Sequence, residues 1–468
     1  MKRILLALLA ASTCIGSAHA GDSRKPNIIY ILADDLGYGE LGCYAQKKIK
    51  TPNLDKMAAQ GLRFTQHYAG NAVCAPSRCV LMTGKHSGHA YIRNNTEMKP
   101  DGQQPIPADT LTIARLLRGA GYVTGLIGKW GLGMHDSTGD PLKQGFDHVF
   151  GYYCQRHAHN HYPTFLWRNA QKVPLEGNPG AATGKQHSHD LFEKEALDFV
   201  LKNQDKQFFL YLPFTIPHVA LQVPQDSLAE YKGKWDDPPY KGGKDYQPHE
   251  YPRAAYAAMV TRMDRTIGRI LDLLRALDLD DDTLVIFSSD NGPVGDHVGG
   301  SDSIFFASAG VLRGFKGSLF EGGVRVPMIL RWPRRARAGR TTDHISGFQD
   351  VMPTLCEIAA VKTPKDLDGI SFLPTIRGKA EQKQHEFLYW EFPGYGGQQA
   401  VRMGDWKALR QDMHKGNMKL QLFNLAKDIS ETTDVAAQHP DIVERMLGIM
   451  RAQHTPSKLY PFKALDGK

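Results

Sequence analysis

Four stretches of this chain are apolar with little alternation, and each stops abruptly at charged or hinge residues. Asn27 opens NIIYILA, which runs into Asp34-Asp35, and YVTGLIG runs into Lys129. Gln207 to Phe214 (QFFLYLPF) runs into Thr215-Ile216-Pro217-His218, and Thr283 to Asn291 (TLVIFSSDN) closes on Asp290-Asn291-Gly292. Runs of this kind predict strands buried on both faces of a parallel sheet. Amphipathic stretches separate them. Helices are expected over Asp109 to Leu117, Ser188 to Asn203 and Ala254 to Leu277, with a short one opened by Thr51-Pro52 and stopped by Gly61. Pro224 to Tyr251, rich in Pro, Lys, Gly and Tyr, reads as a surface excursion forming a lid or substrate rim.

From Glu386 the pattern changes to short alternating runs (FLYWEF, AVRMGDWKALR, KLQLFNL) broken by Gly and polar turns, which predict antiparallel strands. A closing helix is expected over Asp441 to Gln453. The fold class is therefore α/β: a large mixed, mostly parallel sheet between helices, with a small C-terminal antiparallel-sheet subdomain. The expected division is a catalytic domain over 24–380 and the subdomain over 381–468. Trp390 and Glu391 lie within reach of a substrate rim in this reading, with core packing as the default.

The first twenty residues have the form of a secretory signal. Lys2 and Arg3 precede an apolar run, Ile4 to Ala11, and Ala18-His19-Ala20 suits cleavage near Ala20. No later run is apolar and long enough to span a bilayer, so an exported protein, periplasmic or secreted and free of the membrane, is expected. A hydrophobic content of 41% with 23% charged residues is that of an ordinary globular protein. The net charge of +8 suits anionic ligands such as sulfated polymers, yet no Lys/Arg block resembles a nucleic-acid-binding tail. Cys43, Cys74, Cys79, Cys154 and Cys356 remain after cleavage, an odd set that leaves one outside any pairing.

The chemistry collects where the apolar runs end, which is where open α/β sheets place ligands. Asp34, Asp35, Asp290 and Asn291 offer hard oxygen ligands suited to calcium, with magnesium second, rather than soft ligands for zinc. Alone, each acidic pair would be a turn with an Asp cap. Lys129 and Lys316 read as surface lysines unless an anion is bound between them. His218 is pinned behind Pro217, which suits an acid/base group. His157, His159 and His161 alternate; on a strand they would share a face, and sugar contacts are favoured over a metal site.

The central stretch is Cys74-Ala75-Pro76-Ser77-Arg78. Three readings stand for Cys74: a small buried apolar residue, a disulfide partner of Cys79, or a thiol nucleophile activated by Arg78. Pro76 suits the first turn of a helix, placing Cys74 just before the helix start in a field that favours anions.

This pentapeptide resembles the core of the formylglycine-dependent (type I) sulfatase signature, in which the cysteine becomes Cα-formylglycine. The resemblance extends, in order, over Asp34-Asp35, Cys74 to Arg78, Gly128-Lys129-Trp130, Pro217-His218, Asp290-Asn291-Gly292, and Lys316 with the Glu321-Gly322-Gly323 block. It implies an alkaline-phosphatase-like superfold and a sulfuric ester hydrolase. It also implies one calcium on Asp34, Asp35, Asp290 and Asn291, and formylglycine at Cys74 made by a formylglycine-generating enzyme. Arg78 would then orient the diol, Lys129 and Lys316 would bind sulfate, and His218 would protonate the leaving oxygen. The family commonly reads Gly-Lys-Trp-His-Leu-Gly, whereas this chain has Gly131 in place of the histidine. His86 and the His157–His161 cluster are the candidate replacements. Gln155 stands near the place of a sulfate-contacting serine. With HSGHAYIRNN and HAHNHYP, the variant is most similar to bacterial polysaccharide sulfatases acting on sulfated galactose or N-acetylgalactosamine. The rivals are a phosphate or phosphonate monoester hydrolase of the same fold and a catalytically silent sulfated-glycan-binding protein.

Overall fold

The computed structural model describes residues 25–243 and 246–466. The leader expected over 1–20 lies outside them. The apolar runs form the centre of an 11-stranded mixed sheet. Asn27–Ala33 pairs in parallel with Thr283–Ser289 on one side and with Phe208–Pro213 on the other; Val123–Lys129 follows, again parallel. Further strands extend both edges: His148–Tyr152, Phe165–Arg168 and Gln171–Pro174 beyond Val123–Lys129, and Arg325–Arg331 with Leu62–Tyr68 beyond Thr283–Ser289.

The missing polar alternation in these runs has a direct cause. Ile29, Ile31 and Ala33 enter one apolar core and Ile28, Tyr30 and Leu32 the other, so both faces of the strand are buried. One core packs beneath Pro252–Ala276 and Ser188–Lys202, the other beneath Cys74–Thr83, Ile113–Gly119 and Val351–Ile358. The helix expected over 109–117 begins later, at Ile113, because the Thr112 side chain accepts from the Arg115 N–H and caps it there. Thr51 does not cap the helix Pro52–Ala59; its hydroxyl accepts from Gly42 N–H at 2.8 Å instead.

Four antiparallel strands, Leu388–Phe392, Gln398–Met403, Trp406–Arg410 and Gln421–Asn424, form the second sheet. One face (Trp390, Phe392, Ala400, Leu409) packs on Tyr68, Val73, Leu319 and Phe320 of the larger unit. The other face (Tyr389, Val401, Ala408, Leu422) receives Met446 and Met450 of the helix Pro440–Gln453. Between the two sheets lies a buried ionic knot. Glu321 meets Lys407 at 2.9 Å, Arg325 at 3.2 Å and the Tyr68 hydroxyl at 2.6 Å, while Lys407 also meets Glu431 at 3.1 Å. Burial pushes Glu431 up to about 7, whereas Lys407 and the neighbouring arginines overcome burial at Glu321 and hold it down at about 2.

Removing the shared cation leaves two carboxylates buried without it. We expect Lys407→Met to destabilise the protein by about 3–5 kcal/mol, read as a fall in the urea midpoint; an unchanged midpoint would show that the knot contributes nothing net.

Candidate active site

The carboxyl ends of four adjacent parallel strands deliver the polar groups in a row: Asp290-Asn291, Asp34-Asp35, the turn carrying His218, and Lys129. Asp35 takes a left-handed backbone (φ 67°), which aims its N–H at Asp290 Oδ1, 3.1 Å away. Cys74 is the first residue of the helix Cys74–Thr83, so it stands inside the first turn rather than before it. That helix points its start at the acidic row, and Cys74 Sγ lies 3.5 Å from Asp34 Oδ1 and 3.4 Å from Lys316 Nζ.

Every charge here is matched. Lys129 Nζ donates to Asp34 Oδ2 at 2.7 Å, and Lys316 Nζ to Asp35 Oδ2 at 2.8 Å. Arg78 grips Asp290 Oδ2 through Nε (3.0 Å) and Nη2 (2.9 Å), and its Nη1 donates to the Lys129 carbonyl at 2.5 Å. Its guanidinium thus braces the acidic row. Burial pushes Asp34 upward, but Lys129 and Arg78 hold it well below the usual carboxylate range. Asp290 goes the other way, to about 6, through burial and the Asp34 charge. Burial acts against the charged form of Lys316 too, yet Asp35 and its neighbours keep that amine firmly protonated.

Cys74 is fully buried, and burial pushes its thiol up to about 12 despite the pull of Lys129 and Lys316. Arg78 is spent on Asp290 and the Lys129 carbonyl, so its guanidinium does not pair with the Cys74 thiol. All five described cysteines are free, which removes the pairing with Cys79.

The donor set fits a hard cation. Asn291 Nδ2 donates to Asp35 Oδ1 at 2.8 Å and to the Gly292 carbonyl at 2.9 Å, which fixes the amide's orientation. Its Oδ1 is buried with no hydrogen-bond partner among the described residues, beside three carboxylates. An orphaned buried oxygen in that company is what an oxygen-liganded divalent ion would satisfy.

In front of this row lies a cavity of about 360 Å³ lined by Cys74, Lys316, His218, Gln155, His159 and Tyr246, among others. His218 is buried; its Nδ1 meets the Val219 carbonyl, and Nε2 lies 3.5 Å from Asp35. Burial and then Lys316 hold its pKa far below the ordinary histidine value. His159 stacks on it with ring centroids 4.5 Å apart. His157 and His161 depart from expectation. Residues 157–159 form a tight helical turn, so the alternation does not put three rings on one face. His157 packs between Tyr152 and Phe165, outside the cavity, and His161 sits behind His218, bonded to its carbonyl at 3.0 Å.

Gly131 has φ +84°, and a Cβ there would lie 2.2 Å from Gln155 Nε2. The Gln155 amide therefore fills the space a side chain at 131 would use, and both its polar atoms are buried without partners among the described residues. His86, the other candidate, is engaged elsewhere: Nδ1 accepts from Gly88 N–H and Nε2 meets Gln453.

Sequence reasoning passed over Asn95, whose Oδ1 accepts from the Ala75 N–H at 3.0 Å, and Tyr395, which is 70% exposed and lines the cavity. Tyr395 sits in the turn Pro393-Gly394-Tyr395-Gly396-Gly397, where a solvent-facing aromatic between glycines was the available signal. Trp390 and Glu391 stay in the core; Trp390 Nε1 donates to the Ala69 carbonyl and Glu391 pairs with Arg93.

An α/β sheet whose strand ends carry a charge-matched acidic row, behind a cavity that presents Lys316 beside Cys74, has the form of a hydrolase for anionic esters. Residues 26–361 match the Sulfatase family model, and the chain belongs to the sulfatase family of sulfuric ester hydrolases. Residues 315–453 match the model of the N-sulphoglucosamine sulphohydrolase C-terminal region. The chain is 32% identical to mouse steryl-sulfatase, covering 87% of this chain and 75% of that protein. It is 28% identical to an N-acetylgalactosamine-6-O-sulfatase of Bacteroides thetaiotaomicron, covering 93% and 94%. Among solved structures, Ps i-CgsB in complex with k-i-k-neocarrahexaose is similar at 30% identity and a TM-score of 0.76, covering 92% of each chain.

The close approach at Gly131 yields a prediction. Gly131→Ala should cost about 1–3 kcal/mol, and part of that cost should vanish in a Gln155→Ala background. A double-mutant cycle of denaturant unfolding reads the coupling; additive effects would mean that Gln155 moves aside freely.

Proposed function

We propose that this protein hydrolyses sulfate monoesters of a sulfated glycan, using formylglycine made from Cys74 and one calcium ion held by Asp34, Asp35, Asp290 and Asn291. The observation that carries the reading is the convergence of Cys74, the acidic row and Lys316 on one cavity. The hydrated aldehyde supplies an oxygen nucleophile for sulfur and, once the alcohol has left, a route to expel inorganic sulfate. Calcium held by those four residues would supply a double positive charge to offset that of the sulfo group.

The remaining work falls to the chain's own residues. Lys316, on the cavity wall and 3.4 Å from Sγ, is placed to draw sulfate oxygens toward residue 74. Lys129 is completely buried on Asp34, so it sets the charge of the row from behind. Asp34, Asp35 and Asp290 balance Arg78, Lys129 and Lys316 to zero, so a divalent ion leaves a surplus that a monoanionic sulfate ester reduces. The hard-oxygen donors Asp34, Asp35, Asp290 and Asn291 make one metal site, whereas a two-metal site would suit a phosphate monoester better.

His218 serves the leaving oxygen. Its Nδ1 is committed to a carbonyl, leaving Nε2 toward the cavity. Part of what keeps the ring neutral is the charge of Lys316, and a sulfo group bound to that lysine offsets it, raising the ring's affinity for a proton. His159, Tyr246 and Tyr395 give the cavity mouth ring faces and polar edges suited to a sugar. Gln155 brings an unpartnered amide to the same wall. The similarity to an N-acetylgalactosamine-6-O-sulfatase and to a carrageenan-oligosaccharide complex supports sulfated galactose or N-acetylgalactosamine as the sugar class. The leader over 1–20 supports export, with maturation by a formylglycine-generating enzyme.

Mass spectrometry of the peptide around Cys74, from a host with the maturing enzyme, should show conversion to the aldehyde. An unmodified thiol in active protein would remove formylglycine from the mechanism. Cys74→Ser is expected to abolish desulfation of a labelled oligosaccharide while leaving the melting temperature nearly unchanged. Chelation should lower both activity and melting temperature, calcium restoring both. Asp290→Asn protein should lose the calcium-dependent rise in melting temperature, and an equal rise in both proteins would move the ion elsewhere.

A further inference from the structure

A second cavity, of about 540 Å³, opens on the outer face of the small sheet, between it and the C-terminal helix and tail. Arg410 forms one wall. It is 7% exposed, its Nε is buried without a partner, and no carboxylate or carbonyl binds its guanidinium among the described residues. Burial disfavours its charge, with Tyr389 opposing this and Arg451 adding to it. This is unlike the other buried arginines described above: Arg78, Arg93 and Arg325 all hold carboxylates. Opposite Arg410 in the strand register stands Gln399. Its Nε2 donates to Tyr389 and to the Met450 carbonyl, and its Oε1 is buried without a partner. The acids nearby are committed: Glu391 to Arg93 and His454, Asp466 to His454, and Glu444 to Arg451. An uncompensated buried cation costs stability unless something absent from the free chain completes it.

The pocket also adjoins a groove that reaches the turn carrying Tyr395. It shares Met418 and Ala464 with an open groove that includes His414. His414 bonds the Pro393 carbonyl at 2.7 Å, in the same turn that sends Tyr395 to the catalytic cavity.

We propose that Arg410, with Arg451 and the Gln399 carbonyl, forms an accessory subsite for a sulfo group on a second residue of a polymeric sulfated glycan. The guanidinium and Arg451 receive the sulfate oxygens, and Gln399 Oε1 accepts from a sugar hydroxyl. Met418, Leu447 and Leu465 carry its C–H faces. This rests on the sulfated-glycan reading and adds to it a site away from the chemistry.

The test uses Arg410→Met, which keeps volume and removes the charge. In full-length protein carrying Cys74→Ala to block turnover, Arg410→Met should weaken binding of a sulfated galactan hexasaccharide five- to tenfold. It should leave binding of the desulfated hexasaccharide unchanged and raise the melting temperature. With Cys74 intact, it should raise KM for the polymer several-fold and leave turnover of 4-nitrophenyl sulfate unaltered. Selenate soaked into crystals should give an anomalous peak at Arg410. Unchanged hexasaccharide affinity, or a lowered melting temperature with no selenate peak, would make Arg410 a structural residue and overturn the subsite. Failure of the wild-type protein to cleave any sulfate ester would overturn the catalytic reading instead; the selenate peak and the hexasaccharide titration would still decide the subsite.

Discussion

The structure depends on keeping three buried carboxylates side by side at the carboxyl ends of central strands. Asp34, Asp35 and Asp290 are each completely buried, and such a cluster is tolerated only because Arg78, Lys129 and Lys316 come from three other segments to meet it. The neutralisation explains the topology as well as the chemistry. The cations arrive from the Cys74–Thr83 helix, from the end of Val123–Lys129 and from the loop ahead of Arg325–Arg331, and the fold must close around the acids before any of those charges is satisfied. The arrangement also has a functional benefit, since a row held this tightly needs no reorganisation when charge develops.

Much of this was legible in the chain. A strand buried on both faces has no polar alternation, so the central strands declared themselves and their ends located the acidic row. Cys74, Arg78, Lys129, His218 and Lys316, which the structure brings together, drew attention in the sequence because each follows a strand, opens a helix or sits in a motif that resembles a known one. What was not legible has a common character: it depends on what lies across space. The run from His157 to His161 looks like a strand, and only the tight turn over 157–159 shows why His159 alone of the three lines the cavity. Tyr395 comes from the other sheet, more than three hundred residues from Cys74 along the chain.

The exchange at Gly131 shows how local loss and distant gain are coupled. A position that lacks a side chain is read in sequence as a missing group. In space it is room, and the Gln155 amide occupies it. Reading either residue alone would have made one a defect and the other an ordinary polar residue. The same reasoning separates Arg410 from its neighbours on the small sheet, where a charge without a partner stands out only after every other one has been matched.

The depth at which Cys74 lies sets an order of events in the life of the chain. Its side chain is 1% exposed, roofed by Lys316 and backed by Asp34. No second protein can close its own active site around that atom once the sheet edge has formed. On the formylglycine reading proposed above, oxidation at this position has to happen while the segment is still an extended peptide, in the interval between synthesis and collapse. On that same reading, folding speed and modification speed compete for the same molecule, and a chain that folds first is locked out of the modification for as long as it stays folded.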